Sequence, residues 1–174
     1  MPIIKIYPSK RPVRGILQYI TRSDTVPEEL IRTNGCDILD AEQEFSDIAR
    51  YYNKPTGAGN RTYYHMIVSY NTTYEKISPE EVRDMVKDLC QRTKIDCYQW
   101  YLAVHTDRPD HMHAHVVINN VSYRGDRKQH VKAGKSFQST GKLRHELMEK
   151  GNVICKEHGY EHSLVNTKAK PRNV

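Results

Sequence analysis

The sequence predicts a single α+β domain built on one sheet, mixed or antiparallel, with helices packed on one of its faces. Three observations lead there. The 174 residues suit one domain of ordinary size with its own core. Segments with a period of two alternate with segments of helical period, in the order β, α, a loop and short helix, β, α, β, β, α. The sixth and seventh of these are two strands separated by only seven residues, Thr106 to Met112, which makes them an antiparallel hairpin. The βαββαβ ferredoxin-like layout is the nearest simple template.

Taken in order, MPIIKIY alternates about Ile4 and Ile6 and reads as a strand over residues 2–7. SKRP breaks it, and Ser9 is a candidate cap for a short helix over residues 12–22, with Pro12 in its first turn and Ile16, Leu17 and Ile20 facing inward. Residues 24–39 read as loop and irregular pieces, with Asn34-Gly35 marking a turn. Asp40 can cap the next helix, whose stripe is Phe45, Ile48 and Tyr52. RTYYHMIVSYN, residues 61–71, is rich in aromatic and β-branched residues and alternates, the pattern of a strand. Ser78-Pro79-Glu80-Glu81 starts a helix that carries Val82, Met85, Val86 and Leu89 inward. The hairpin strands follow at 97–105 and 113–121. The last helix spans 139–158, with Leu143, Leu147, Val153 and Cys155 inward, an interruption at Gly151 and a cap at Gly159. The folded domain is assigned to residues 1–165, and 166–174 form a basic tail.

Charge and composition narrow the function. Lys and Arg number 27 against 21 acidic residues, a net +6 that favours a polyanionic partner without proving one. The four cysteines show no CxxC spacing, so neither a disulfide framework nor a cysteine metal site is expected, and a reducing cytoplasm suits them. No run reaches the length of a membrane span, so no membrane insertion is expected.

The chemistry concentrates in HTDRPDHMHAHVVINN, residues 105–120. Residues two apart on a strand share a face, which places His113 with His115. If His105 lies opposite His113 across the hairpin, three imidazoles converge from two strands, with neighbouring Cβ atoms about 5 Å apart. Three imidazoles suit a divalent metal and leave positions open for substrate oxygens. Asp107 and Asp110, in the turn, are candidates to orient ring nitrogens. A zinc hydrolase needs a placed carboxylate base, and no HExxH is present. The loop 122–136 collects Arg124, Arg127, Lys128, Lys132 and Lys135, a candidate nucleic-acid surface.

With these residues in view, the chain resembles the HUH relaxases, nicking enzymes of plasmid mobilisation and conjugation, and within them the VirD2-like MOBP group. HTDRPDHMHAHVVINN is similar to the family's histidine motif, GILQYITR to its nucleophile motif and YYHMIVSYN to its second motif; TNGCD and ICKEHGY recur in similar form. The resemblance implies an HUH fold, ferredoxin/RRM-like, with a central antiparallel five-stranded sheet and the His-x-His strand at its middle. It implies strand-specific nicking and joining of DNA at an origin of transfer by a tyrosine that becomes linked to the 5′ phosphate and frees a 3′ hydroxyl. Residue by residue, it makes Tyr19 the nucleophile, His105, His113 and His115 the metal ligands, and Ser69 a DNA contact, with Mg²⁺ or Mn²⁺ as the metal. The turn after His105 is a residue longer than the family's commonest form, which makes His111 an alternative third ligand. Single-stranded DNA, accessory relaxosome proteins, a type IV secretion coupling protein and a bacterial cytoplasm follow as expected partners and location. The family also carries a long C-terminal region, of which the basic tail would be the start. Two other functions fit the residues. One is a related HUH endonuclease of replication initiation or transposition, which would need a tyrosine on the last helix. The other is a ferredoxin-like nucleic-acid-binding protein without catalysis or metal dependence.

Overall fold

The structure, a computed structural model, describes residues 3–22, 25–73 and 75–161. The basic tail 166–174 and the end of the assigned domain at 165 lie outside these residues. The hairpin forms where expected: β4, Tyr98–His105, and β5, His113–Ser122, pair antiparallel with His105 opposite His113. Every residue of β4 is buried, as a strand covered on both faces requires. β1 (Ile3–Ser9) pairs with β3 (Tyr63–Ser69), β3 with β5, and β4 with β2 (Ile31–Asn34). The sheet runs β1-β3-β5-β4-β2, all antiparallel, with the His-x-His strand at its centre.

β2 corrects the expectation of loop over 24–39. It has four residues, Ile31-Arg32-Thr33-Asn34, too few and too polar for alternation to be visible, and only its pairing to β4 makes it a strand. β1 also runs two residues further than the alternation indicates, through Pro8. Proline has no N–H to give a ladder, but β1 is an edge strand with β3 as its neighbour on one side.

Helices cover both faces rather than one. α3 (Pro79–Gln91) and α4 (Gly141–Glu157) bury Val82, Met85, Leu89, Leu143 and Leu147 against Met66, Leu102, Val104, Ala114 and Val116. α1 (Val13–Thr21) and α2 (Ala41–Tyr51) bury Ile20, Ala41 and Phe45 against Tyr63, Tyr101, Ala103 and Val117 on the opposite face. The physical reason lies in β4 and β5: Tyr101, Ala103 and Val117 alternate with Leu102, Val104 and Val116, so each face carries apolar surface that must leave water.

Local signals set the helix ends. α3 begins with a capping box: the Glu81 N–H donates to Ser78 Oγ at 3.2 Å, and the Ser78 N–H donates to Glu81 Oε2 at 2.8 Å. Ser9 does not cap α1; its Oγ accepts the Arg11 N–H, and Pro12 stands at the cap position. Asp40 precedes α2 but its side chain makes no capping bond. α4 is continuous through Gly151, which is buried in it, so the glycine makes no break. One turn on, Val153 is 47% exposed, and Ile154 takes the inward place.

A histidine cluster and an exposed tyrosine form the candidate site

One sheet face splits into two parts. α1 and α2 cover Tyr101, Ala103 and Val117, while at the end of the hairpin nearest the turn the same alternation brings up His105, His113 and His115. One ligand atom from each of these rings lies within 4.8 Å of the others, the arrangement of a possible three-histidine metal site. Ring centroids stand 4.3 Å apart for His105 and His115, 4.9 Å for His113 and His115, and 5.2 Å for His105 and His113.

The ring nitrogens divide cleanly. His105 Nε2 donates to the Ile20 carbonyl at 2.7 Å, one of the carbonyls left open at the end of α1, and so keeps Nδ1 as an acceptor. His113 Nδ1 donates to the His111 carbonyl at 3.2 Å, leaving Nε2 free. His115 Nδ1 meets His65 Nε2 at 2.8 Å, and the two rings stack 5.0 Å apart. His115 is 3% exposed, and its Nε2 has no hydrogen-bond partner among the described residues. A buried imidazole nitrogen without a partner is costly. Here it points to a ligand: His113 and His115 each hold one nitrogen in a protein bond and offer the other, while Arg22 Nη2 stands 3.4 Å from His105 Nδ1.

Electrostatics favour the neutral form of His105, His115 and His65, the form that binds a cation. Burial pushes His115 down to about 2, helped by His105, His65, His113 and Arg22. Burial, with repulsion from His105, lowers His65 to about 4. His105 is also lowered, first by burial and then by Arg22 and His113; its bond to Ile20 and the charge of Asp107 pull the other way.

Tyr19 sits in the last turn of α1 with its ring 58% exposed, edge-on to His115 at 5.6 Å and to His105 at 6.1 Å. The His105–Ile20 bond and buried Ile20 anchor that turn, so the tyrosine is held over the histidines while its hydroxyl faces solvent. Arg22, the left-handed residue that ends α1 with φ 50°, reaches back to His105 Nδ1 at 3.4 Å and pairs with Asp107 at 2.9 Å.

The turn carboxylates therefore do something other than orient rings. Asp107 is paired with Arg22, which holds its carboxyl below the usual range, and Asp110 approaches only His111, at 3.8 Å. Main-chain carbonyls and His65 hold the ring nitrogens instead. His111 is exposed and outside the cluster, contributing its carbonyl but not its ring. Ser69 pairs in register with His113 and shares the histidine face. The basic loop is not part of this site. It follows the far end of β5, seven residues beyond His115, or about 23 Å at about 3.3 Å per residue. There Arg124 is tied to the Asp96 carboxylate and carbonyl, and Lys135 Nζ donates to the His130 carbonyl. Lys128 and Lys135 line a separate cavity against α4, and Arg127 and Lys132 are exposed in the same loop.

His65 and Arg22 escape a reading confined to the hairpin. His65 was accessible through parity, since it lies four residues before Ser69 on one strand face. Arg22 had no such signal, because its approach depends on a left-handed backbone at the helix end.

Comparison with known proteins agrees with this geometry. The family described as relaxase, MobA/VirD2-like, nuclease domain, matches residues 19–160. Two proteins named rlx from Staphylococcus aureus are similar: one is 29% identical over 124 residues, 71% of this chain and 35% of that protein, the other 26% identical over 137 residues, 79% and 36%. The chain thus spans about a third of the length of these relatives. A solved structure described as "Molecular Basis of Vancomycin Resistance Transfer in Staphylococcus aureus" superposes with a TM-score of 0.64 at 11% identity, covering 98% of this chain and all of that one, which establishes a shared fold. No helix among the described residues is long and apolar enough to cross a membrane.

Proposed function

The chain belongs to the MobA/VirD2-like relaxase nuclease family, and on that premise we propose that it nicks and rejoins one DNA strand at an origin of transfer, with Tyr19 as nucleophile. The observation that carries this reading is Tyr19 standing edge-on to His105 and His115, two of three converging histidines. Tyr19 Oη attacks the phosphorus, the bond to the 3′ oxygen breaks, and the DNA is left with a 5′ phosphate on the tyrosine and a free 3′ hydroxyl. The phenol proton passes to solvent or a neighbouring base, and the departing oxygen takes up a proton. Attack by a 3′ hydroxyl on the phosphotyrosine reverses the step and rejoins a strand.

His105, His113 and His115 are the residues that would hold a divalent cation, Mg²⁺ or Mn²⁺ on the family resemblance. Such a cation neutralises charge on the phosphate when bound. The orphaned His115 Nε2 fits that role. Arg22 adds fixed positive charge beside the same face, and Ser69 is placed to touch the strand next to His113. His65 keeps the His115 ring in one orientation. Accessory relaxosome proteins and a coupling protein would act with the longer protein of which such a domain forms part. The replication and transposition reading loses support because α4 carries no tyrosine, and Tyr160 beyond it donates to Glu81 Oε1 at 2.6 Å.

The test is to incubate the protein with oligonucleotides spanning candidate transfer origins, in Mn²⁺ or EDTA, beside a Tyr19→Phe variant. A covalent protein–DNA adduct is expected with Mn²⁺, and none with EDTA or in the variant. An adduct that persists in Tyr19→Phe would remove Tyr19 as the nucleophile, and cleavage indifferent to chelation and to His113→Ala would remove the metal.

A further inference from the structure

A second concavity lies at the opposite end of α1 from Tyr19, with a volume of about 560 Å³, in the range of small-ligand sites. Its apolar floor is Phe45, Ala49 and Val121, and its wall is the loop between α2 and β3, where Gly57 and Gly59 take φ of 90° and 86° and let the chain fold over. Four cations line it, Lys10, Arg11, Lys54 and Arg61. None of them forms an ion pair among the described residues, although Glu42 lies in the same lining. Arg61 is held in place by a bond to the Tyr64 hydroxyl at 2.7 Å. An apolar floor and unpaired cations suit a group that is flat and apolar on its faces and anionic at its attachment. A nucleotide has those properties.

We infer that this cavity takes one nucleotide of the single-stranded substrate, its base against the apolar floor beside Ala49 and its phosphates on Lys10, Arg11 and Lys54. The inference rests on the single-stranded DNA substrate proposed above and extends it to a second contact. The spacing fits a continuous strand: Asn119, in the lining, lies on the same face of β5 as His115 and four residues further, about 13 Å along the strand. Between the two lies Tyr7 of β1, 49% exposed and in register with His65, an open aromatic face on the route. A strand cut at Tyr19 is thereby gripped a few nucleotides away, which would hold the non-covalent end in place for rejoining.

Short fluorescein-labelled single-stranded oligonucleotides, read by anisotropy, test this without requiring cleavage. Ala58→Trp, in the exposed loop, fills the cavity, and Lys54→Glu reverses one of its charges. Each is expected to weaken binding about tenfold, Lys54→Glu also lowering the salt dependence by about one phosphate contact. Iodouracil-substituted oligonucleotides are expected to photocrosslink to the cavity lining of the unmodified protein, the crosslinked peptides being located by mass spectrometry. Should Ala58→Trp lower the melting temperature, Lys54→Glu and the crosslinks decide. Unchanged affinity in Lys54→Glu with crosslinks confined to the histidine face would overturn the inference. Crosslinks in the cavity with no Tyr19 adduct would sink the nicking reading alone, and an adduct with no cavity crosslinks would sink this one alone.

Discussion

The two faces of the sheet are built from the same strands but to opposite specifications. Beneath α3 and α4, β4 and β5 present Leu102, Val104, Ala114 and Val116, all buried and all apolar. One residue out of phase, the same strands present Ala103, His105, His113 and His115, with the end of α1 closing over His105 and His115 and leaving His113 half-buried. The first face stabilises the fold. The second spends some of that stability holding a cluster of imidazoles, one with an unmet nitrogen. The lesson is that the central strand can carry a polar site because opposite the histidines its other face is apolar at Ala114, Val116 and Ile118, so a single backbone both anchors the core and aims the ligands.

This contrast can be broken most severely from the apolar side. Leu89→Ala, at a fully buried position in α3, is expected to cost about 2–5 kcal/mol by chemical denaturation. His115→Ala should shift stability by no more than about 1 kcal/mol while abolishing metal retention in calorimetric titration, because the lost packing is offset by removal of an unsatisfied buried group. A large loss of stability in His115→Ala would refute the division of labour between the faces.

A milder break touches only the support of the cluster. His65→Ala leaves His115 Nδ1 without its partner and frees the ring to turn. Metal affinity is expected to fall by about 10–100-fold, with a near-native melting temperature and partial recovery in His65→Gln. Unchanged affinity would reduce His65 to a packing residue.

The smallest expected effect is a pH dependence confined to the histidine face. His115 and His65 are held below their ordinary value of 6.5, near about 2 and about 4. Their folded-state values are depressed, so the unfolded chain binds more protons as pH falls. The neutral-state advantage is complete above 6.5 and is lost progressively below it, on the order of 2 kcal/mol for His115 between pH 6.5 and about pH 5. Denaturation of metal-free protein at pH 7.5 and pH 5 should show this fall, and a His65→Gln/His115→Gln double variant should flatten it.

Much of this was legible in the sequence, and the part that was not has physical causes. The hairpin register could be read because the alternation in β4 and β5 is long and its two phases differ in chemistry. Ser78 and Glu81 announced α3 because a capping box is local. β2 was silent because its strand character comes from β4 and not from its own four residues. The second helical layer was hidden for a related reason, since apolar alternation on both faces indicates that a strand is covered but not by what. At the site, parity brought the three histidines together, and the family resemblance singled out Tyr19. The expected roles of Asp107 and Asp110 rested on nearness in sequence, whereas Arg22 captures Asp107 through a helix end that no spacing rule reveals.

The sheet order has a consequence in time as well as in space. Only β4 and β5 are neighbours both in the chain and in the sheet; β1 must find β3, and β2 must find β4, across more than fifty intervening residues. Closing those long loops is slow, so the hairpin is expected to be the early structure and the edge strands the late ones. In pulse-labelled hydrogen exchange during refolding, β4 and β5 amides should gain protection before those of β1 and β2, and simultaneous protection would refute that order. The three imidazoles would then be assembled on a nascent scaffold before the helix bearing Tyr19 docks, so that the chain is competent to capture a cation earlier in its life than it is competent to react.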